Sequence, residues 1–327
     1  MPSKKESILC ILKVLQNYTD KDHYLTQKEI MDYVYQDYGL SLERKSVSRN
    51  ISTLIEFDYD IVKSSKGYAM IDRLFSETEM YYLADAIYSS HTISKENTKE
   101  LIDKILSNSS LHLKEKAISL YKNEQVSKSL NKQIFLNIEI LSEAIEKKKK
   151  VSFNYIGFDD NGKKVYKYQG FRYVLSPYFL VNNLGRYYCL GCYKEEYGPL
   201  SPYRIDYIED IRIEDEDVIP FANFKSKLPS FSIDKYINEH IYLFGGNVIS
   251  AKLEIKGPES IVYVYDWFYD KAKIVKENDE IFAYVRCNEH ALLYWLMQYG
   301  EEVKLLEPTS LRKQVLDNAK RIVGNHS

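Results

Sequence analysis

Eight prolines and 13 glycines in 327 residues leave little room for long disordered linkers. Four cysteines, with no secretory signal at the start, exclude a disulfide framework and point to a reducing, cytoplasmic compartment. No run of about 18 apolar residues occurs, so no membrane-spanning helix and no membrane partner is expected. An excess of positive charge is also missing. Lys and Arg number 45 against 47 Asp and Glu, a net charge of −2. That argues against a protein that holds nucleic acid by bulk electrostatics alone, but leaves room for a local basic patch. Clustered carboxylates and a base–nucleophile pair are absent too, so no catalytic residue, metal or cofactor is expected, and an enzyme such as a single-strand nuclease is disfavoured.

What is present is a globular composition, 45% hydrophobic and 28% charged, at a length suited to two or three domains. Tyrosine stands out at 30 residues. Its apolar ring and polar tip suit partly wet cores, interfaces and base-stacking surfaces. A plain bias toward Tyr, Lys and Ile also accounts for much of the count.

Residues 1–73 read as three helices and a hairpin. Ile8, Leu9, Ile11, Leu12 and Leu15 recur at helical spacing. Thr26 to Glu29 has the form of a capping box and opens a second helix ended by Gly39. A third helix is predicted over Glu43–Phe57, with Val47, Ile51, Leu54 and Ile55 inward and Arg49 pointing directly outward. Two apolar runs around Ser64–Gly67 then predict a hairpin with Lys63 and Lys66 near its tip. This order is that of a winged helix-turn-helix. The expected DNA contacts are Arg44, Lys45, Ser46, Ser48, Arg49, Asn50 and Thr53 on the helix, with Lys63 and Lys66 on the wing. The run Ser46 to Leu54 also resembles the recognition helix of DeoR-type winged-helix regulators. The plainer alternative is a small helical domain with a solvated face, since residues 1–73 carry no net charge.

Residues 74–132 predict a helical linker, its helices opening at Ser76, near Ser94 and near Leu113. His91 and His112 read as isolated surface residues. A further helix is predicted over Gln133–Lys150, ending in four lysines that suit a helix C-terminus, or alternatively extend a nucleic-acid surface. Residues 151–216 alternate in short strands at Val151–Tyr155, Tyr166–Ser176, Tyr178–Val181, Arg186–Tyr193 and Tyr203–Ile213. Turn signals at Asp159–Gly162, Asn182–Gly185 and Gly198-Pro199 separate them, and a small bent antiparallel barrel follows. Cys189 and Cys192 have half the spacing of a zinc site, but no second pair follows and burial on a strand is favoured. Residues 217–327 begin with a connector and continue as β-α-β-β-α-β-α, the order of a ferredoxin-like sandwich plus one helix, with Trp295 in its core.

The barrel segment carries a specific resemblance. Phe153-Asn154-Tyr155, Ser176-Pro177-Tyr178, Gly185 to Gly191 and Tyr203 to Ile208 together resemble the WYL domain, an Sm/SH3-like barrel of bacterial transcriptional regulators. The name-giving Trp-Tyr-Leu falls on Tyr187-Tyr188-Cys189. The Phe-Arg-Leu-Asp-Arg-Ile motif falls on Tyr203–Ile208, with Tyr207 replacing its second arginine. Leu293 to Gly300 and Val303 to Pro308 resemble the WCX C-terminal extension of the same regulators, which commonly helps them dimerise. The resemblance implies an α+β multidomain protein: head 1–73, linker 74–132, WYL sensor 133–216 and extension 217–327. It implies a homodimer on operator DNA and a nucleic-acid or nucleotide effector. Tyr155, Arg172, Tyr178, Arg186, Tyr188 and Arg204 are the expected effector contacts. Against that, Tyr178 and Tyr188 also fit as core, and Arg204 as a structural partner of Asp206. A nucleic-acid-binding adaptor of a phage-defence system is the rival function.

Overall fold

The computed structural model describes residues 6–71, 73, 75–107, 109–121, 126–198, 200–224 and 231–327. Pro199 of the Gly198-Pro199 turn signal and residues 225–230 of the connector lie outside them. The chain divides into two compact units, Met1–Lys132 and Gln133–Ser327.

The first unit opens with α1 (Ser7–Tyr18), α2 (Gln27–Tyr38) and α3 (Arg44–Glu56), then the hairpin β1 (Ile61–Ser64) and β2 (Gly67–Met70). Helix α2 starts where Thr26 and Glu29 form a reciprocal capping box, and stops at Gly39 in the left-handed conformation. Ile11, Val14, Leu15, Ile30, Val34, Val47, Ile51 and Leu54 make one core between the helices. Ile55 is not part of it, because its side chain falls on the outer side of the last turn and is exposed beside Phe57. Leu25 adds a single bridge to β2, its N–H and C=O both paired with Tyr68 at 2.9 and 2.8 Å. Helices α4 (Glu77–Ser89), α5 (Lys95–Leu106) and α6 (Leu111–Tyr121) follow, α4 with a second capping box at Ser76 and Glu79. Met80, Ile102, Leu106 and Ala117 form their shared core.

The second unit begins with α7 (Ile134–Lys147), shorter than the pattern of apolar residues predicts. Lys148 turns left-handed, at φ 54°, and ends the helix. The first two lysines of the run therefore close the helix, and the last two belong to the next strand. Lys149 and Lys150 lie in β3 (Lys149–Phe158) and pair with Asp217 and Glu216 at 2.8 and 2.7 Å, while Lys147 pairs with Glu143. Three of the four lysines are thus held in ion pairs.

Strands β4 (Lys164–Tyr166), β5 (Arg172–Asn183), β6 (Arg186–Cys192), β7 (Ser201–Arg204) and β8 (Ile208–Asp217) complete a curled antiparallel sheet in the order β4-β3-β5-β6-β7, with β8 also on β3. Two expected strands merge into the long β5, which bends at a register shift between Pro177 and Phe179. The expected strand Tyr203–Ile213 is instead broken by a 3-10 turn over Ile205–Tyr207. That turn joins the two edges of the sheet. Helix α7 buries Ile134, Leu141 and Ala144 as it packs on β3, β5 and β8.

After the connector and α8 (Ile233–Glu239) comes a second sheet: β9 (Val248–Ile255), α9 (Ile261–Phe268), β10 (Lys273–Glu277), β11 (Glu280–Asn288), α10 (Glu289–Tyr299), β12 (Val303–Glu307) and α11 (Thr309–His326). Its strand order is β10-β11-β9-β12, all antiparallel. Alternation puts Ala251, Leu253 and Ile255 inward against α9 and α10, around the fully buried Trp295. Helix α11 begins at Thr309 behind Pro308, one residue ahead of the cap expected at Ser310.

Candidate functional site

On the first unit, α3 presents Arg44, Lys45, Arg49 and Ser52 to solvent. Among the described residues none of the three cations is held in an ion pair. The polar residues beside them are partly buried and already engaged. Gln27 Nε2 donates to the Ser48 hydroxyl at 2.6 Å, and Asn50 Nδ2 donates to Ser7 Oγ at 2.9 Å. These two bonds tie α3 to the helices behind it. Thr53 donates to its own helix at Arg49 O, and Ser46 is half-buried near the helix start. In the hairpin, Lys63 and Lys66 are exposed, the Lys63 ammonium 5.8 Å from the Tyr68 ring centre. Helix α3 and the adjoining hairpin thus present three and two exposed cations.

His112, expected to stand alone, is stacked on His23 with ring centres 3.8 Å apart. His23 in turn contacts Asp20 Oδ1 at 2.7 Å, and Asp20 Oδ2 accepts from Ser110 at 2.7 Å. The His23–His112 stack and the Asp20–Ser110 bond each span far more sequence than a local pattern can show. His91 is exposed, as expected, with Nδ1 2.7 Å from Ser127 O.

On the second unit, curling of the sheet gathers a tyrosine cluster at one end. Tyr155 on β3 lies edge-on to Tyr173, Tyr203 and Tyr207, with centre distances of 6.0, 5.8 and 5.9 Å. Its hydroxyl accepts the Arg204 backbone N–H at 3.0 Å, and burial raises its pKa above the usual tyrosine range. Arg204 donates from Nε and Nη2 to both carboxylate oxygens of Asp206, at 3.1 and 2.6 Å. Asp206 is buried and Arg204 is partly exposed. Burial opposes the Arg204 charge, but the Asp206 carboxylate outweighs it and raises the pKa. The guanidinium also lies 4.1 Å from the centre of the Tyr207 ring. Tyr207, which stands where the family motif has arginine, thereby becomes a platform for the arginine that remains. Lys167 lays its stem over Gly157 and its ammonium 5.3 Å from the Tyr155 ring centre. Exposed Phe158 and Phe171 extend the cluster beyond Tyr207 and Tyr173.

Of the residues expected to hold an effector, the structure brings together Tyr155, Tyr188 and Arg204. Tyr188 stands opposite Arg204 in the β6–β7 register, and its ring also packs on Val181, Leu190, Leu200 and Leu243. Arg172 does not join them. It is spent on Ser152 and Asp210, with an Asp210 ion pair at 2.8 Å. Tyr178 faces the connector instead, donating to Ile219 O at 2.6 Å and packing edge-on to Phe221. Arg186 is exposed beside the tight Leu184-Gly185 turn, apart from the cluster's hydrogen bonds. Strand-by-strand reading missed Lys167, Tyr173, Tyr203 and Tyr207. The tyrosine excess was the signal for Tyr173, the Tyr203–Ile208 motif that for Tyr203 and Tyr207, and Lys167 had none.

Cys189 and Cys192 are both buried on β6, three residues apart and so on opposite faces. Burial pushes the Cys189 thiol up to about 12. Among the described residues no group of His, Cys, Asp or Glu is placed to hold a metal ion. Nor is any helix among them long and apolar enough to cross a membrane. Aromatic faces flanked by a guanidinium and an ammonium suit a ligand with both a flat ring and an anionic group.

Two families match the chain, the WYL domain over residues 137–213 and the WCX domain over residues 247–323. Two solved structures are similar in part. Proteasome accessory factor B/C (PafBC) of Arthrobacter aurescens is 16% identical over 96% of this chain, with a TM-score of 0.29. This chain spans 47% of the length of that one. A CRISPR Cas-related protein is 12% identical over 98% of this chain and 84% of its own, with a TM-score of 0.42. No match is found among curated protein sequences. The second unit therefore carries a WYL domain, which holds the tyrosine cluster and Arg204, followed by a WCX domain.

Proposed function

We propose that this protein is a ligand-responsive bacterial transcriptional regulator, a cytoplasmic homodimer that represses by binding operator DNA. In this reading residues 1–73 are a winged helix-turn-helix, the sheet of the WYL domain is an Sm-like sensor barrel, and the WCX domain is a ferredoxin-like element that supports the dimer. The observation that carries it is the outward row Arg44, Lys45 and Arg49 on α3, continued by Lys63 and Lys66 on the hairpin. A helix of this width fits a major groove, with the hairpin along the phosphates. The effector is an oligonucleotide or nucleotide, its base against the tyrosine cluster and its phosphate toward Arg204 and Lys167. Its binding favours one arrangement of the dimer over another and so alters operator affinity.

Mobility shifts of the full chain on promoter fragments test this reading. Four cations per protomer on phosphates, with Arg49 on a base edge, predict that log K falls with log salt at a slope of about −3 to −4 per head. Arg49→Ala should weaken binding by about 1–3 kcal/mol and relax the sequence preference at one position. Absence of duplex binding at every salt concentration refutes the regulator, and unchanged affinity of Arg49→Ala refutes the assigned reading helix.

A further inference from the structure

Behind the Arg204 turn stands one fully buried carboxamide. Asn137 lies in the first turn of α7 and has no exposed surface. Its Nδ2 donates to Ile208 O at 2.8 Å and to Ile205 O at 3.4 Å. Those two carbonyls bracket the Ile205–Tyr207 turn. The front of the same turn carries Asp206 and Tyr207, which grip the Arg204 guanidinium. Asn137 Oδ1 is buried with no hydrogen-bond partner among the described residues. Packing alone does not call for an amide here, since leucine would fill the space with no polar oxygen to desolvate. What the amide supplies is a directional link from α7 to a non-repetitive turn 68 to 71 residues away in sequence.

We propose that Asn137 is a positioning residue that couples the Arg204 turn to α7. The link rests on the reading of Arg204 as an effector contact. A ligand that draws Arg204 away from Asp206 moves the turn, and the turn moves α7 through two hydrogen bonds. Helix α7 is the first element of the second unit and starts two residues after Lys132, so its shift reaches the first unit along the chain itself. Ile134, Leu141 and Ala144 pack it firmly on the sheet, so it moves as a rod rather than by bending.

Two measurements on the full chain test the coupling. The first needs no ligand. Amide hydrogen exchange over residues 134–141 should speed up by about tenfold in Arg204→Ala, roughly the loss of one hydrogen bond's protection. In an Asn137→Leu background the same substitution should leave those amides unchanged. Unchanged exchange in the Arg204→Ala single variant overturns the coupling, whatever the protein binds. Asn137→Ser serves in the same cycle if the leucine variant does not fold. The second measurement uses a ten-nucleotide single-stranded DNA as probe. The ratio of operator affinities with and without it should fall to about one in Asn137→Leu, and by linkage the probe should bind equally with and without operator. A ratio equal to wild type overturns the proposal. If the probe leaves the wild-type ratio at one, the effector reading fails with this probe, and the exchange measurement still decides the role of Asn137.

Discussion

Replacing Gly67 with alanine should damage the first unit far more than the same change at Gly39. Both glycines have positive φ, +126° and +66°. Around Gly39 a new Cβ meets nothing within 4 Å, so its cost is the left-handed backbone alone, about 1–2 kcal/mol. At Gly67 the Cβ would stand 2.2 Å from Leu25 O and 2.8 Å from Thr26 N. Those are backbone atoms, so no side-chain rotation relieves the overlap. The hairpin must move off Leu25, which breaks the Leu25–Tyr68 bridge and its two hydrogen bonds at 2.9 and 2.8 Å. Two such bonds are worth about 1–3 kcal/mol, and strain at φ +126° adds about 1–3 more. The sum, about 2–6 kcal/mol, is a large share of a small domain's stability. Hydrogen exchange in the full chain would read it as lost protection at Leu25 and Tyr68 in Gly67→Ala, with Gly39→Ala close to wild type. The hairpin carries Lys63 and Lys66, so the proposed regulator should also lose duplex affinity in Gly67→Ala. Equal protection in the two variants would refute the close approach of Leu25 to the hairpin.

Other expectations follow from single sites. Burial opposes ionisation of Asp20, but hydrogen bonds from Ser110, His23 and the Asp22 N–H outweigh it and hold its pKa below the usual carboxylate value. A lowered folded pKa stabilises the folded state above the unfolded value, about 3.9, and that stabilisation disappears as pH falls through the folded value. Thermal melting of the full chain should therefore soften below about pH 4, and Asp20→Asn should flatten that dependence. Lys148→Gly should raise the unfolding free energy by about 1 kcal/mol in denaturant titrations, since φ 54° is strained for lysine and ordinary for glycine. Asp206→Ala should cost about 2–3 kcal/mol in denaturant unfolding. That is less than the 3–5 of a fully buried pair, because Arg204 keeps some access to water. All four cysteines are buried, so thiol reagents at pH 8 should find no fast-reacting group in the native chain.

Sequence patterns revealed those features whose hydrogen bonds close within a few residues. The Thr26–Glu29 and Ser76–Glu79 boxes start their helices as read, because cap and partner are three positions apart. Register of the β1–β2 hairpin follows from its two-residue turn. Lys147 to Lys150 misled for the opposite reason. Helix propensity alone would carry α7 through Lys150, but β8, paired with β3, offers the Asp217 and Glu216 carboxylates to Lys149 and Lys150 from 66 or more residues away. Tertiary pairing decided where the helix ends. Arg172 is likewise engaged at long range, by Asp210, which lies 38 residues on and has a positive φ of 50°.

Arg204 and Asp206 show how a correct pairing can follow from a mistaken geometry. Strand alternation puts residues two apart on one face, which predicts that the two side chains meet. They do meet, but through the 3-10 turn that ends β7 and not along a strand. The difference matters for chemistry. On a flat strand Asp206 would face solvent with Arg204, and a ligand phosphate would compete with a screened surface carboxylate. In the turn Asp206 is buried, so the pair holds Arg204 in one fixed direction over Tyr207. An anion must then bind at the remaining Nη1 edge or displace a desolvated carboxylate. Binding at Nη1 leaves the turn in place, whereas displacement strains the turn and pulls on Asn137. In the proposed sensor, the site would hold one ligand silently and respond to another, according to whether its anion reaches past Nη1 to the Asp206 side. Monoanionic and dianionic nucleotides of the same base should separate these modes. Both should quench tyrosine fluorescence on binding, while only the dianion should speed exchange over residues 134–141. Equal exchange with the two would mean that the Asp206 pair does not set the response.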